Sequence, residues 1–134
     1  MSAHEFINPQ QLMPADGFSH VVVPAPGRTI YIAGQTAHQA DGWLRGATIA
    51  EQADAALANL VVALAAAGAR PADLVTLQIY VTDVHAYRAR LDEIGPSWQR
   101  HLGKHFPAVA LFGVAALYDD GALIEIVATA VIPD

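Results

Sequence analysis

Glu125 is the residue whose type and position most directly suggest chemistry in this sequence. It lies in the middle of an apolar, strand-like segment, residues 123–127. Because side chains alternate along a strand, Glu125 faces away from Ile124 and Ile126, toward either solvent or an interface. On a solvated face it would be an ordinary surface carboxylate. Partial burial would instead favour its protonated form and make it a usable proton donor.

Metal and nucleophile chemistry find little support in the other polar residues. Among the six histidines, His101 and His105 have helical i, i+4 spacing, but Gly103 lies between them and Pro107 follows. We therefore expect a solvated, fraying helix end there, and we predict no metal site. The sequence contains no cysteine, no G-x-S-x-G segment and no phosphate-binding glycine loop. Thiolate, serine-hydrolase and nucleotide chemistry are therefore not predicted.

The composition favours burial of apolar surface between subunits. Hydrophobic residues make up 54% of the 134 residues and charged residues only 15%, against typical values of about 45–50% and about 25%. The net charge of −6 disfavours nucleic acid as a partner. The absence of cysteine fits a reducing cytoplasm, and neither a signal peptide nor an unbroken apolar span is recognisable. We expect a cytoplasmic oligomer with no membrane partner.

The predicted elements form a single α+β domain, residues 1–134, in the order β-β-β-α-β-α-β-β. Residues 1–19 are predicted to be irregular, and a capping box of Thr48 and Glu51 predicts that a helix starts there. The predicted strands are 20–23, 29–34, 43–44, 74–82, 108–117 and 122–132, and the predicted helices are 49–67, 83–94 and 96–102.

Two features of this arrangement bear on assembly. The turn at residues 118–121 is short, so the last two strands are predicted to form an antiparallel hairpin. The helices are expected to pack on one face of a mixed sheet. The other face then has no cover within the chain, which again favours packing between subunits.

Several short segments, in order along nearly the whole chain, resemble one protein family. They are Gly17-Phe18-Ser19-His20, Tyr31-Ile32-Ala33-Gly34-Gln35, Asp41-Gly42, Gln52 with Asn59-Leu60, Ala66-Ala67-Gly68, Val81-Thr82-Asp83, Phe106-Pro107-Ala108 and Ile124-Glu125-Ile126. Together they are similar to the RidA/YjgF family of reactive-intermediate deaminases, some of which carry an endoribonuclease label. The resemblance implies a chorismate-mutase-like fold and a homotrimer with clefts at the subunit interfaces.

The resemblance also implies an activity. Active members hydrolyse imines or enamines of 2-amino acids to 2-keto acids and ammonia, with no metal or organic cofactor. An arginine holds the substrate carboxylate, and a glutamate that matches Glu125 positions or activates water. Gly34 and Glu125 keep the family pattern. Four other site positions depart from it: Phe18, Ala33, Leu91 and Val109 stand where the family has a tyrosine, a serine, an asparagine and the arginine.

These replacements all exchange a polar side chain for an apolar one. We therefore predict a divergent homotrimer that binds a small, largely apolar metabolite in its clefts, with any catalysis resting on Glu125. The predicted ligand-binding residues are Phe18, Ala33, Gly34, Leu91, Val109 and Phe112. One alternative is an imine deaminase with a non-standard substrate, anchored by Arg28, Arg88 or Arg100. Another is a non-catalytic interaction protein.

Overall fold

The computed structural model describes residues 2–134 and has the predicted α+β class. In chain order the elements are β1 (Glu5–Ile7), β2 (Val21–Val23), β3 (Gly27–Gln35), α1 (Ile49–Ala66), β4 (Leu74–Val81), α2 (Val84–Ala89), α3 (Leu91–Leu102), β5 (Ala108–Gly113) and β6 (Ile124–Pro133). A single 3₁₀ turn, Pro71–Asp73, precedes β4. The helices cover one face of the main sheet, as the sequence predicts.

The main sheet has the order β3-β6-β4-β5, and β1 and β2 form a separate antiparallel pair. β6 runs antiparallel to both β3 and β4, whereas β4 and β5 are parallel. The predicted hairpin of β5 and β6 is therefore wrong. The hairpin does not form because the connection from 114 to 123 is long enough to carry the chain past β4. Between β3 and β4, β6 gains two hydrogen-bonded neighbours instead of one.

α1 begins and ends where the sequence predicts. The Thr48 hydroxyl accepts from the Glu51 amide at 3.2 Å, and the Glu51 carboxylate accepts from the Thr48 amide at 3.1 Å. Gly68, with φ of +80°, follows the helix end. By length and composition alone α1 could cross a membrane. Three leucines of α1, Leu57, Leu60 and Leu64, instead lie fully buried in the hydrophobic core.

The second helical region breaks at a different residue from the one predicted. α2 ends at Ala89 and α3 starts at Leu91, so the break is at Arg90 rather than at Gly95-Pro96. Pro96 lies inside α3, where it removes only the hydrogen bond to the Asp92 carbonyl. Both residues are exposed, and water can satisfy that carbonyl. The helix therefore tolerates the proline.

The N-terminal region is more ordered than predicted. Residues 5–7 form β1, which is held by the buried His4. Its Nδ1 accepts from the Ala25 amide and its Nε2 donates to the Asp73 carbonyl, each at 3.1 Å. The predicted strand at residues 43–44 reduces to one isolated bridge between His38 and Leu44.

The two faces of the main sheet differ sharply. On the helix-covered face, alternate residues of β6 such as Ile124 and Ile126 are completely buried. The opposite face carries Tyr31, which is 82% exposed, and Phe112, which is 45% exposed. Residues 2–134 supply no element that covers this second face, which we call the open face. The open face therefore presents aromatic side chains to its surroundings.

Candidate functional site

A cavity of about 530 Å³ lies between the two short helices and the β4–β5 edge of the sheet. Small-molecule sites are typically about 300–1,000 Å³, so the cavity is large enough for a metabolite. The strands contribute Ile79, Val109 and Leu111, because Leu77 pairs with Val109 and Ile79 with Leu111 on the helix-covered face. The helices contribute Tyr87, Leu91, Trp98 and Leu102.

Phe18 closes one side of the cavity because the segment before β2 is folded back onto β5. The Ser19 amide donates to the Pro107 carbonyl at 3.0 Å. The Phe18 ring meets the His20 ring edge-on, with centroids 5.1 Å apart. His20 in turn donates from Nε2 to the Met13 carbonyl at 2.7 Å. These contacts fix the Phe18 backbone beside the cavity.

The buried polar groups of the cavity are electrically neutral. Burial raises the pKa of the Tyr87 hydroxyl, which a hydrogen bond from Trp98 partly opposes, so Tyr87 stays protonated. Burial lowers the pKa of His105, and its Nε2 donates to the Leu74 carbonyl at 2.8 Å. The prediction of a solvated helix end at His105 is therefore wrong, because the chain after α3 turns inward onto β4.

His101, the other member of that pair, is also not free in solvent. Its Nε2 lies 2.9 Å from the Asp54 carboxylate, which Ser97 and Arg100 contact as well. Partial burial disfavours the charged form of Asp54, but the hydrogen bonds from His101, Arg100 and Ser97 outweigh it and lower its pKa. This cluster joins α1 to α3. Within residues 2–134, no three His, Cys, Asp or Glu side chains converge as a metal site would require.

No arginine lines the cavity within residues 2–134. Val109 occupies the β5 wall of the cavity. Arg28, Arg88 and Arg100 do not line it, and Arg100 is instead bound to Asp54 at 2.6 Å. The cavity wall is therefore apolar where the resemblance leads one to expect a guanidinium group.

Glu125 lies on the open face, away from the cavity. It pairs across the strands with Tyr80, which pairs in turn with Phe112, so these three side chains form one row. The Tyr80 and Phe112 rings are stacked, with centroids 5.5 Å apart and planes at 22°. The half-buried Glu125 carboxylate forms no hydrogen bond or ion pair with residues 2–134. It is therefore available to a ligand or to a water molecule.

Gly34 is matched to Glu125 by shape. A Cβ added at Gly34 would overlap Oε2 of Glu125 and would lie 2.7 Å from its Cδ. Only glycine leaves room for the carboxylate in this position. The neighbouring Ala33 is exposed on the same open face.

Two polar residues of α1 hold the chain segments that carry Gly34 and Glu125. The Gln52 Oε1 atom accepts from the Leu123 amide at 2.7 Å, and Nε2 donates to the Gly121 carbonyl at 2.9 Å. Asn59 Nδ2 donates to the carbonyls of Thr36 and His38, both at 2.8 Å. Gln52 thus fixes the start of β6, and Asn59 fixes the loop that follows β3.

The predicted site residues therefore form two groups on opposite faces of the sheet. Phe18, Leu91 and Val109 line the cavity, whereas Ala33, Gly34, Phe112 and Glu125 lie on the open face. Two strand spacings, about 10 Å, separate β6 from β5 within the sheet. A ligand inside the cavity therefore lies on the other side of the sheet from the Glu125 carboxylate of the same chain.

The structure also adds residues that the sequence analysis did not assign to a site. Leu111 follows Val109 at the i+2 position and shares its face, so strand alternation could have indicated it. Trp98 lies two helical turns after Leu91 and one turn before Leu102, and all three line the cavity. Lys104 and His105 line the cavity beside the end of α3.

The comparisons with known proteins agree on one family. A family model described as endoribonuclease L-PSP matches residues 8–132. The human 2-iminobutanoate/2-iminopropanoate deaminase is 35% identical over 105 residues, which cover 78% of this chain and 73% of that protein. A Rid-family protein of unknown function from Yersinia pestis is 40% identical, with a TM-score of 0.86 and coverage of 96% and 98%. A YjgF/YER057c/UK114 family member from Mycobacterium tuberculosis is 32% identical, with a TM-score of 0.64 and coverage of 97% and 100%.

Proposed function

The chain belongs to the RidA/YjgF family, and from this membership we propose that it is a homotrimer that binds a small, largely apolar metabolite in clefts between its subunits. The observation that carries the proposal is the cavity of about 530 Å³ with Val109 on its wall. A bound apolar group would gain about 25 cal/mol for each Å² removed from water. A buried charge on that group would find no partner at Val109 and would oppose binding.

The separation of the two residue groups supports assembly. Within one protomer, Val109 and Glu125 lie on opposite faces of the sheet, so a site that uses both requires two copies of the chain. The exposed Tyr31 and Phe112 on the open face give a second copy an apolar surface to cover. We place each complete site where the cavity of one subunit meets the Gly34–Glu125 pair of the next.

The assembly is testable by placing a charge on the open face. Tyr31→Glu would put a carboxylate into the proposed interface, and we expect light scattering to show dissociation of the trimer to monomers. Val62 on α1 is 69% exposed on the opposite side of the molecule. Val62→Glu adds the same charge and should leave a trimer. A wild-type monomer, or equal behaviour of both variants, would contradict the assembly.

A second candidate function is imine hydrolysis on a non-standard substrate. It is favoured by the open Glu125 carboxylate beside Gly34, and the curated relatives are imine deaminases by name. Glu125 would take a proton from water as the water oxygen bonds to the imine carbon, and would pass that proton to the imine nitrogen. Transfer of the remaining hydroxyl proton to the nitrogen, as the C–N bond breaks, would then release ammonia and leave the keto group. The net charge of −6 supports neither a nucleic-acid substrate nor a nucleic-acid partner.

Two measurements together separate these functions, the decay of imines and the binding of a neutral probe. Imines generated in solution from aliphatic and aromatic amino acids would be followed with wild type, Val109→Arg and Glu125→Gln. We expect wild type to leave their decay unchanged and to bind the neutral probe 2-naphthalenemethanol in calorimetry, whereas Val109→Trp, which fills the cavity, abolishes that binding. Accelerated decay with wild type, lost in Glu125→Gln, would instead establish the deaminase. Absence of probe binding to wild type would refute the apolar-ligand proposal.

A further inference from the structure

We propose that Lys104 anchors the ligand, and that the ligand is a monocarboxylate carried on a bulky apolar or aromatic frame. This inference rests on the proposed function, because it concerns the same cavity. Lys104 lines the cavity, is exposed, and forms no ion pair or hydrogen bond with residues 2–134. It is therefore a cation with no partner in this part of the chain, placed beside an apolar volume of about 530 Å³.

The other titratable groups that line the cavity do not compete for this role. His105 is held neutral by burial and uses its Nε2 hydrogen to bind the Leu74 carbonyl. Tyr87 is kept protonated by burial. Asp16 is the remaining charged residue of the lining and is exposed, as Lys104 is. The lining that one chain supplies therefore offers one cation for an anionic group.

The backbone places Lys104 at this point for a local reason. α3 ends at Leu102, and the Gly103 amide still donates to the Gln99 carbonyl at 3.0 Å. Gly103 then takes a φ of +69°, which turns the chain from the helix end toward β5. Lys104 occupies the first position after that turn. Its aliphatic stem can lie along the apolar lining while the ammonium group stays in water.

This placement dictates how a ligand enters. The strand side of the cavity, with Val109, Leu111 and Ile79, has no charged group and would strongly oppose burial of a carboxylate. The apolar frame must therefore enter first, leaving the carboxylate at the solvent-exposed side where Lys104 lies. A dianion such as a phosphate monoester would leave its second charge without a partner, because this lining offers a single lysine. The geometry thus points to a single carboxylate.

The test compares two probes of the same shape, 2-naphthoate and the neutral 2-naphthalenemethanol. Lys104→Met removes the charge but keeps an unbranched apolar stem. Arg45→Met is the control, since Arg45 is also exposed and lies outside the cavity lining. Both variants lose one positive charge. Calorimetry of wild type and both variants at low salt gives the ratio of the two affinities in each protein.

We expect wild type to bind the carboxylate about three- to tenfold more tightly than the alcohol, the range for a partly exposed charged contact. Lys104→Met should reduce that ratio to about one, and Arg45→Met should keep the ratio of wild type. Equal affinities in wild type, or loss of the preference in Arg45→Met as well, would overturn the anchor while alcohol binding still supported the cavity. Failure of both probes to bind wild type would overturn both proposals.

Discussion

Replacing Gln52 by methionine removes the hydrogen bonds that fix the start of β6 while keeping a side chain of similar length and shape. Gln52 is almost completely buried. Its amide accepts from Leu123 at 2.7 Å and donates to the carbonyls of Gly121 and Gly46 at 2.9 and 3.3 Å. Methionine can replace none of these bonds. The Leu123 amide loses its partner only two residues before Glu125.

The cost can be worked from these contacts. Three hydrogen bonds at about 1 kcal/mol each give a loss of about 3 kcal/mol. Burial of the more apolar methionine offsets roughly 1 kcal/mol of this. We expect the free energy of unfolding to fall by about 2 kcal/mol, which for a chain of this length lowers Tm by about 6–10 °C.

Urea and thermal unfolding at matched protein concentration would measure the change. Gln39→Met is the control, because Gln39 is exposed and its side chain forms no hydrogen bond with residues 2–134. Its free energy of unfolding should change by less than about 0.5 kcal/mol. If Gln52→Met were no more destabilising than Gln39→Met, Gln52 would not hold the start of β6 as we infer.

Two further predictions concern the site itself. Gly34→Ala should move the Glu125 carboxylate, because a Cβ would lie 2.7 Å from Cδ where ordinary contact begins near 3.4 Å. The flexible Glu125 side chain can move aside, so the free energy of unfolding should change by less than about 1 kcal/mol. A crystal structure of the variant should show the displaced carboxylate. An unmoved carboxylate would contradict the assigned contact. The lowered pKa of the partly buried His105 makes the unfolded chain take up a proton before the folded chain as pH falls below about 6.5, so stability declines there. His105→Gln, which can still donate to Leu74, should flatten that part of the stability–pH curve, and an unchanged slope would contradict this origin.

The sequence predicts best the elements that local interactions determine. The capping box of Thr48 and Glu51 and the Gly68 after the last turn place α1 to within one residue. The apolar segment that became β4 is recognisable for the same reason. Glycine and proline were weaker guides in the second helical region, because the exposed side of α3 tolerates Pro96. Local signals therefore gave the elements, but not every boundary.

The sequence did not predict which distant strands pair, or on which face of the sheet their side chains lie. Nothing in the turn at residues 118–121 indicates that β6 leaves β5 and enters between β3 and β4. Without that register, Val109 and Glu125 could not be assigned to opposite faces of the sheet. Lys104 was missed because its importance depends on the cavity that α3 and β5 form together. A single lysine two residues before Phe106-Pro107-Ala108 does not by itself indicate a ligand site.

The position of β6 has a consequence for how the protein folds during its synthesis. The last strand along the chain lies inside the sheet, with β3 and β4 as its two neighbours. Until residues 124–133 have left the ribosome, β3 and β4 can have no partner on the edges that β6 will join. Such unpaired edges are templates for aggregation. The main sheet can therefore close only after β6 has been synthesised, through contacts between segments that are far apart in the sequence, and its folding rate should be sensitive to changes within β6.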